Sequence, residues 1–227
     1  METTGIKTRF LILSDTHSMD LPSQYINHPN TDVVIHCGDL TESSKLQEYR
    51  TAIQLLQKIP ASLKLVIAGN HDISLDEPCF RQKVADARSR HQLPDRFALA
   101  NGASLTVYAS PCTPVDVVLT HGPPRGVLDI PFSGYRAGCA RLFEAVARSR
   151  PRLHCFGHIH EAWGAKLVTW RKTVNGSSFC CHTSHCAGDP NPLQRGLQTL
   201  FVNAAVEGSE EVPIQLPWLV DIELAPA

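Results

Sequence analysis

The amino-acid sequence predicts an α/β fold, and three observations support this prediction. Short apolar runs rich in β-branched residues recur between residues 9 and 160, without the apolar–polar alternation of half-exposed strands. Two intervals between these runs carry apolar residues at helical spacing, and most of the runs end in Gly, Asp, Asn or His. Strands that alternate with helices are typical of the α/β class. Because 227 residues suffice for one core, we expect a single domain, 1–227.

The predicted strands follow these runs in chain order. Six of them cover residues 9–15, 32–39, 63–72, 105–111, 116–124 and 153–160. Later the pattern changes, because the runs AKLVTW, LQTLFVNA and PWLVDIEL indicate strands that have no helix between them.

Two amphipathic helices are predicted between strands. The first lies between the second and third strands; its apolar stripe is Leu46, Tyr49, Ile53 and Leu56, and Ser44 with Gln47 resembles a capping box. The second lies between the fifth and sixth strands and is ended by Pro151. Its apolar face consists of Cys139, Leu142, Phe143 and Val146.

Residues 171–198 are polar and rich in Gly, Pro, Ser and His, which predicts a long loop. It contains the cluster Cys180, Cys181, His182, His185 and Cys186. Because adjacent cysteines cannot easily converge on one ion, free thiols are favoured over a structural zinc site. We expect this loop to cover part of a cleft without supplying a metal ligand, and a plain surface loop is the alternative.

Charge and hydropathy exclude several classes of protein. The 21 Lys and Arg residues balance 22 Asp and Glu residues, so no field attracts a nucleic-acid polymer or an anionic membrane. The N-terminal apolar run before Ser14 is too short for a signal peptide or a membrane span. The sequence therefore predicts a soluble, cytoplasmic protein.

The polar residues at the strand ends carry the chemical prediction. Each of them alone is typical of a turn, but the carboxyl ends of strands in an open α/β sheet meet at one crevice. The set comprises Asp15, His17, Asp39, Asn70, His71, Asp72, His121, His158 and His160. These donors exceed the needs of one ion, so a pair of ions bridged by Asp39 is predicted. Mixed nitrogen and oxygen ligands favour Mn, Fe, Zn or Co over Ca.

The order of these motifs resembles a known superfamily. The blocks D-x-H, G-D, G-N-H-D, T-H-G-P-P and G-H-x-H follow one another from residue 15 to residue 160. This is the signature of the calcineurin-like metallophosphoesterases. The segments VYASPCTP, THGPPRGVLD and FGHIHE resemble the metallophosphoesterase-domain-containing branch, which is related to the class III cyclic nucleotide phosphodiesterases. The resemblance implies a four-layer αββα sandwich of two facing mixed sheets.

The resemblance also implies a role for each matching position. The first metal would be held by Asp15, His17 and His160; the second by Asn70, His121 and His158; Asp39 would bridge them. His71 would protonate the leaving oxygen, with Glu42 orienting it and Asp72 as a rival for that task. The implied activity is hydrolysis of cyclic nucleotides or other small phosphoesters by a hydroxide that bridges the metals.

Two other functions stay open at the level of the sequence. The same hydroxide is able to open a non-phosphate bond in a specialised metabolite, or the chain is a non-catalytic nucleotide-binding protein. The chain also departs from the branch, in which a longer aromatic-rich segment separates the motifs that here flank Val115. That segment helps to wall the substrate site, so an unusually open pocket is expected. The intact set of metal positions favours an enzyme.

Overall fold

A computed structural model describes residues 5–72, 75, 96–98, 104–106, 115–173, 176–182 and 192–226. The strands are β1 (Ile6–Leu13), β2 (Val33–His36), β3 (Leu63–Val66), β4 (Arg96–Ala98), β5 (Ser104–Thr106), β6 (Val117–Leu119), β7 (Leu153–Phe156), β8 (Gly164–Thr173), β9 (Gly176–His182), β10 (Gln198–Asn203) and β11 (Trp218–Leu224). The helices are α1 (Ser23–Ile26), α2 (Leu46–Lys58), α3 (Ala140–Ser149) and a 3₁₀ turn, His160–Ala162. Of the predicted strand 105–111, residues 107–111 lie outside the described part of the chain.

Most of the strands form two mixed sheets. The first sheet has the order β11-β1-β2-β3, with β1, β2 and β3 parallel and β11 antiparallel to β1. The second has the order β6-β7-β10-β8-β9, with β6, β7 and β10 parallel and β8 and β9 in a hairpin. Strands β4 and β5 pair only with each other among the described residues.

The core shows that the two sheets face each other. One buried cluster joins Phe10 and Ile12 of the first sheet to Leu153 and Val202 of the second. On the outer face of the first sheet, α2 packs through a second cluster, and α3 packs through a third on the outer face of the second sheet. This confirms the expected αββα layering.

The packed face of α2 differs from the predicted one. Leu46 is 67% exposed and Ile53 is 50% exposed. The buried face instead carries the spacing i, i+3, i+4, i+7 in Ala52, Leu55, Leu56 and Ile59. The prediction chose the wrong one of two overlapping apolar stripes, which share Leu56. The capping box also lies one residue further along, where the Glu48 carboxylate accepts the backbone N–H of Lys45.

The prediction of a loop over 171–198 is wrong for its first part. β8 extends to Thr173, and β9 pairs with it from Thr173↔Gly176 to Leu167↔His182. The sequence signal for this hairpin is the dipeptide Asn175-Gly176 between β-forming residues, which the prediction from loop composition does not use. Residues 183–191 lie outside the described part, as do the side chains of the cysteines and histidines in this cluster, so its role stays a prediction.

Two buried histidines lie on strands, His36 at the end of β2 in the first sheet and His154 within β7 in the second. The backbone N–H of Gly38 donates to Nδ1 of His36, so Nε2 carries the proton and donates to Thr16 Oγ1 at 2.9 Å. In the second sheet, His154 Nε2 donates to Thr120 Oγ1 at 2.9 Å, and its Nδ1 has no hydrogen-bond partner among the described residues. Burial lowers the pKa of His36 to about 4 and that of His154 to about 3.

These two histidines predict a loss of stability in acid. Their pKa values are depressed by folding, so their contribution is complete above the unfolded value of about 6.5 and is lost as the pH falls toward about 4. For each proton that the unfolded state binds and the folded state does not, the free energy of unfolding changes by about 1.4 kcal/mol per pH unit. The free energy of unfolding in urea can be measured between pH 7 and pH 4.5, with a chelator present, for His154→Gln and for the unsubstituted protein. Its slope against pH should be shallower for His154→Gln, by an amount equivalent to about one proton. Equal slopes would contradict the assignment.

Candidate metal centre

The candidate ligands lie on loops at one end of the sandwich. The parallel strands β1, β2 and β3 point their carboxyl ends in one direction, as do β6 and β7 in the facing sheet. Backbone hydrogen bonds tie neighbouring loops together, including Asp15 N–H to Gly38 O at 2.9 Å and Gly157 N–H to His121 O at 2.9 Å. Loops from both sheets therefore meet over one crevice.

The first group of donors consists of Asp15, His17 and His160, whose ligand atoms lie within 4.8 Å of one another. His160 Nε2 is 3.2 Å from Asp15 Oδ1. His17 Nδ1 donates to the Thr41 carbonyl at 3.1 Å, so Nε2 is the nitrogen left to face this group.

The second group consists of Asp39, His121 and His158, again within 4.8 Å. His121 donates from Nδ1 to the Cys37 carbonyl at 3.0 Å, and its Nε2 is 3.2 Å from Asp39 Oδ2. Asn70 joins this group, because its Oδ1 is 2.8 Å from His121 Nε2. Asp39 also forms a group with His17 and His71, and this places it between the other two.

The backbone at this crevice is held in an unusual conformation. Positive φ angles occur at four candidate ligands, which are Asp15 (53°), His17 (42°), Asp39 (52°) and His158 (70°). Such angles are costly in non-glycine residues and persist where the surrounding structure enforces them. Glycine is required nearby, because a Cβ on Gly69 would collide with Asp39 and one on Gly157 would collide with Asp15.

Carboxylates and imidazoles in the crevice stabilise one another's charge. Burial alone would raise the pKa of Asp15, but hydrogen bonds from His160 and Ser14 hold it below its ordinary value. The same opposition lowers the pKa of Asp39, where burial is outweighed by His121 and the His71 backbone N–H. The hydrogen bond to Asp15 raises the pKa of His160, whereas burial lowers the pKa of His158. Both carboxylates are therefore anionic at neutral pH.

The three residues expected to act in catalysis have different surroundings. His71 Nδ1 donates to the backbone carbonyl of Glu42 at 2.8 Å, so the contact does not use the Glu42 carboxylate that was expected to orient it. That carboxylate is instead 3.2 Å from His17 Nδ1. Asp72 is buried and accepts from the backbone of Leu40, Thr41 and Gly69. The Asp72 carboxylate therefore braces the loops.

Two further residues of this crevice are not among the predicted site residues. Glu207 Oε2 is 3.2 Å from His17 Nε2. Phe132, which is 83% exposed, lines a cleft of about 240 Å³ beside the donors, together with His158, His160, Glu161, Gly208, Ser209 and Gln215. Glu207 could have been found, because it follows the apolar run LQTLFVNA at its carboxyl end, as the other polar residues follow theirs.

The residues present fit a metal centre. They offer carboxylate, carboxamide and imidazole donors in overlapping groups, and both Asp39 and His17 belong to two of the three groups. Mixed nitrogen and oxygen donors suit divalent transition metals. The second nitrogens of His17 and His121 are held by backbone carbonyls, which is the usual support for a ligating imidazole.

Comparison with known proteins assigns the family. Residues 9–208 match the model of the calcineurin-like phosphoesterase superfamily domain. The chain is 32% identical over 217 residues to human metallophosphoesterase domain-containing protein 1, covering 75% of this chain and 66% of that protein. It is 34% identical over 200 residues to a probable rhamnogalacturonate lyase C of Emericella nidulans, covering 74% of this chain but 18% of that protein. The chain thus spans less than two thirds of either relative.

A distant likeness exists among solved structures. Purple acid phosphatase PPD1 from yellow lupin seeds superposes with a TM-score of 0.46 at 12% identity, covering 98% of this chain and 49% of that chain. The family assignment therefore depends on the sequence match over residues 9–208. The chain belongs to the calcineurin-like phosphoesterase superfamily.

In the part of the chain that the structure describes, no helix combines the length and apolarity needed to cross a membrane.

Asp39 leads to a prediction about metal content. Asp39→Asn should lose more metal than His121→Ala, because it removes an anionic donor that two groups share, whereas the histidine belongs to one. Mass spectrometry of metal content after dialysis measures this. Retention of two ions per chain by Asp39→Asn would show that the shared carboxylate does not bridge.

Proposed function

We propose that the protein is a dinuclear-metal phosphoester hydrolase that acts on small phosphoesters such as cyclic nucleotides. The observation that carries this proposal is the position of Asp39, whose carboxylate is shared between donor groups that come from both sheets. A shared carboxylate of this kind would be able to hold two ions, as in hydrolytic two-metal sites. Family membership supports the reaction class.

The bound ions would polarise the phosphoryl group and supply a water nucleophile at neutral pH. Asp15, His17 and His160 would hold one ion, and Asn70, His121 and His158 the other. The chain itself orients His17 through the Thr41 carbonyl and His121 through the Cys37 carbonyl.

His71 is proposed to hold the proton for the leaving oxygen. One of its ring nitrogens lies within 4.8 Å of donor atoms of His17 and Asp39. Its Nδ1 hydrogen is fixed on the Glu42 carbonyl, so its other nitrogen is left to face the substrate. The bond to Glu42 raises the pKa of His71, which favours the protonated form that a general acid needs.

The cleft beside the donors suits a small ester. Its volume of about 240 Å³ is close to the lower end of the range for small-molecule sites. Phe132 stands at its rim on a loop that is closed by the Ala137 N–H on the Asp129 carbonyl at 2.9 Å. Asp129 is buried and pairs with Arg136 at 2.8 Å, which stiffens the loop. The phenyl ring is therefore presented as a flat wall for an organic group of the substrate.

His71 can be tested through the leaving group. His71→Ala should keep both metals while kcat falls about 10²–10⁴-fold on an alkyl phosphodiester, whose leaving oxygen needs a proton. An activated aryl phosphoester, whose leaving oxygen does not, should lose much less. Steady-state kinetics on both esters, with Mn²⁺ and with metal content measured in parallel, decide the point. Equal losses on the two esters would rule out this role.

Phe132 has a matched control on its own loop. Tyr135 is 81% exposed against 83% for Phe132, but only Phe132 lines the cleft. Base stacking on an aromatic side chain is worth about 1–3 kcal/mol, or roughly 5- to 150-fold in binding. Phe132→Ala should therefore raise KM for a nucleoside phosphoester by such a factor and leave KM for a methyl phosphoester unchanged. Tyr135→Ala should alter neither, and a matching effect of both variants would argue against the wall.

A further inference from the structure

Asn203 is a fully buried amide at the end of β10, next to the loop that carries His158 and His160. Its exposed fraction is 0%. In the sheet, Asn203 pairs with Phe156, the last residue of β7, and the loop of the two histidines follows that strand. A buried amide must find its hydrogen-bond partners within the protein. The partners of Asn203 therefore indicate what it supports.

The amide nitrogen of Asn203 is bound to the residue between the two histidines. Its Nδ2 donates to the Ile159 carbonyl at 2.8 Å. The same carbonyl accepts the backbone N–H of Ala162 at 3.0 Å, within the 3₁₀ turn that begins at His160. His158 and His160 belong to different donor groups. One buried hydrogen bond therefore fixes the turn between a ligand of each group.

The amide oxygen is bound on the side of the first sheet. Its Oδ1 accepts the backbone N–H of Ala205 at 3.2 Å. Ala205 forms a parallel bridge with Ser14, and Val206 N–H donates to the Ser14 carbonyl at 2.8 Å. Ser14 directly precedes Asp15, the carboxylate of the first donor group. The same side chain thus contacts the segment that pairs with the end of β1.

Thr199 shows how a buried polar side chain of the same strand differs when it supports only the sheet. It is also 0% exposed and makes two hydrogen bonds, donating to the Pro151 carbonyl and accepting from Trp170 Nε1. These partners lie at the opposite end of β10 from the donors. Of the two residues, Asn203 is the one whose hydrogen bonds reach the loops of the candidate metal centre.

We propose that Asn203 is a positioning residue that holds the turn at Ile159, so that His158 and His160 are directed to different ions. This inference rests on the proposed metal centre and extends it to a residue outside the donor groups. Because Ile159 lies between a ligand of each ion, loss of the amide weakens the binding of both ions. Loss of a single ligand such as His160 acts mainly on one.

The experiment measures metal binding without substrate. Metal-stripped protein is titrated with Mn²⁺ alone by calorimetry and with Co²⁺ alone by visible absorption, which is sensitive to ligand geometry. The variants are Asn203→Leu, which removes both hydrogen bonds at similar volume, and Asn203→Ser, which keeps a short hydroxyl. The control is Thr199→Val, which removes two buried hydrogen bonds from the same strand. Thermal unfolding of each metal-free variant establishes that it is folded.

Asn203→Leu should weaken both Mn²⁺ sites about 10–100-fold, the usual effect of losing a residue that orients metal ligands, and should alter the Co²⁺ spectrum. Asn203→Ser should weaken both sites by a smaller factor, and it alone decides the point if Asn203→Leu does not fold. Thr199→Val should lower the Tm and leave both affinities unchanged.

Three results would overturn the proposal: unchanged affinities in the folded Asn203 variants, a loss confined to one ion, or an equal loss in Thr199→Val. If the unsubstituted protein bound fewer than two ions, the proposed function would fail as well. Two ions bound with affinities that do not depend on Asn203 would overturn this inference alone.

Discussion

Two buried carboxylates at the junction of two sheets are the constraint on which the site depends. Asp15 and Asp39 are 0% and 2% exposed, and burial of an unpaired anion is strongly unfavourable. Asp15 is compensated by the backbone N–H and the imidazole supplied by the second sheet at His158 and His160. Asp39 is compensated by the His71 N–H at 2.7 Å and by His121. The loops are therefore ordered around negative charge, which is the arrangement a cation site requires.

Buried histidines in the strands support the loops that carry these charges. His36 is hydrogen-bonded to Thr16, which lies between the candidate ligands Asp15 and His17. His154 is hydrogen-bonded to Thr120, which precedes the candidate ligand His121. Each imidazole is buried in a strand next to the one whose loop it supports. Neutral imidazoles at these positions fix the loops without adding charge to the crevice. The loops are supported at the level of the strands, although the site itself is open to solvent.

Much of the fold and site was predictable from the sequence, for identifiable reasons. Buried parallel strands form continuous apolar runs, and the polar residues that follow them meet at one edge, so the donors were found without a structure. The face of α2 was not predictable from spacing, because Leu46, Ile53 and Leu56 fit one stripe as well as Ala52, Leu55 and Leu56 fit another. Glu207 follows an apolar run as the other polar residues do, but its proximity to His17 depends on pairing between distant segments of the chain, which no local pattern records.

The pairing of Ser14 with Ala205 has a consequence for how the protein folds. It joins the end of β1 in the first sheet to the extension of β10 in the second, so the two sheets are linked by backbone hydrogen bonds at the crevice. Contacts between segments so far apart in sequence form slowly, because loop closure must precede them. The first sheet includes β11 and the second includes β10, so both sheets and this link are complete only once nearly the whole chain is in place. Assembly of the crevice is therefore a late event, and a nascent chain that has not yet reached residue 205 carries most of its donors without the link that aligns the two sheets.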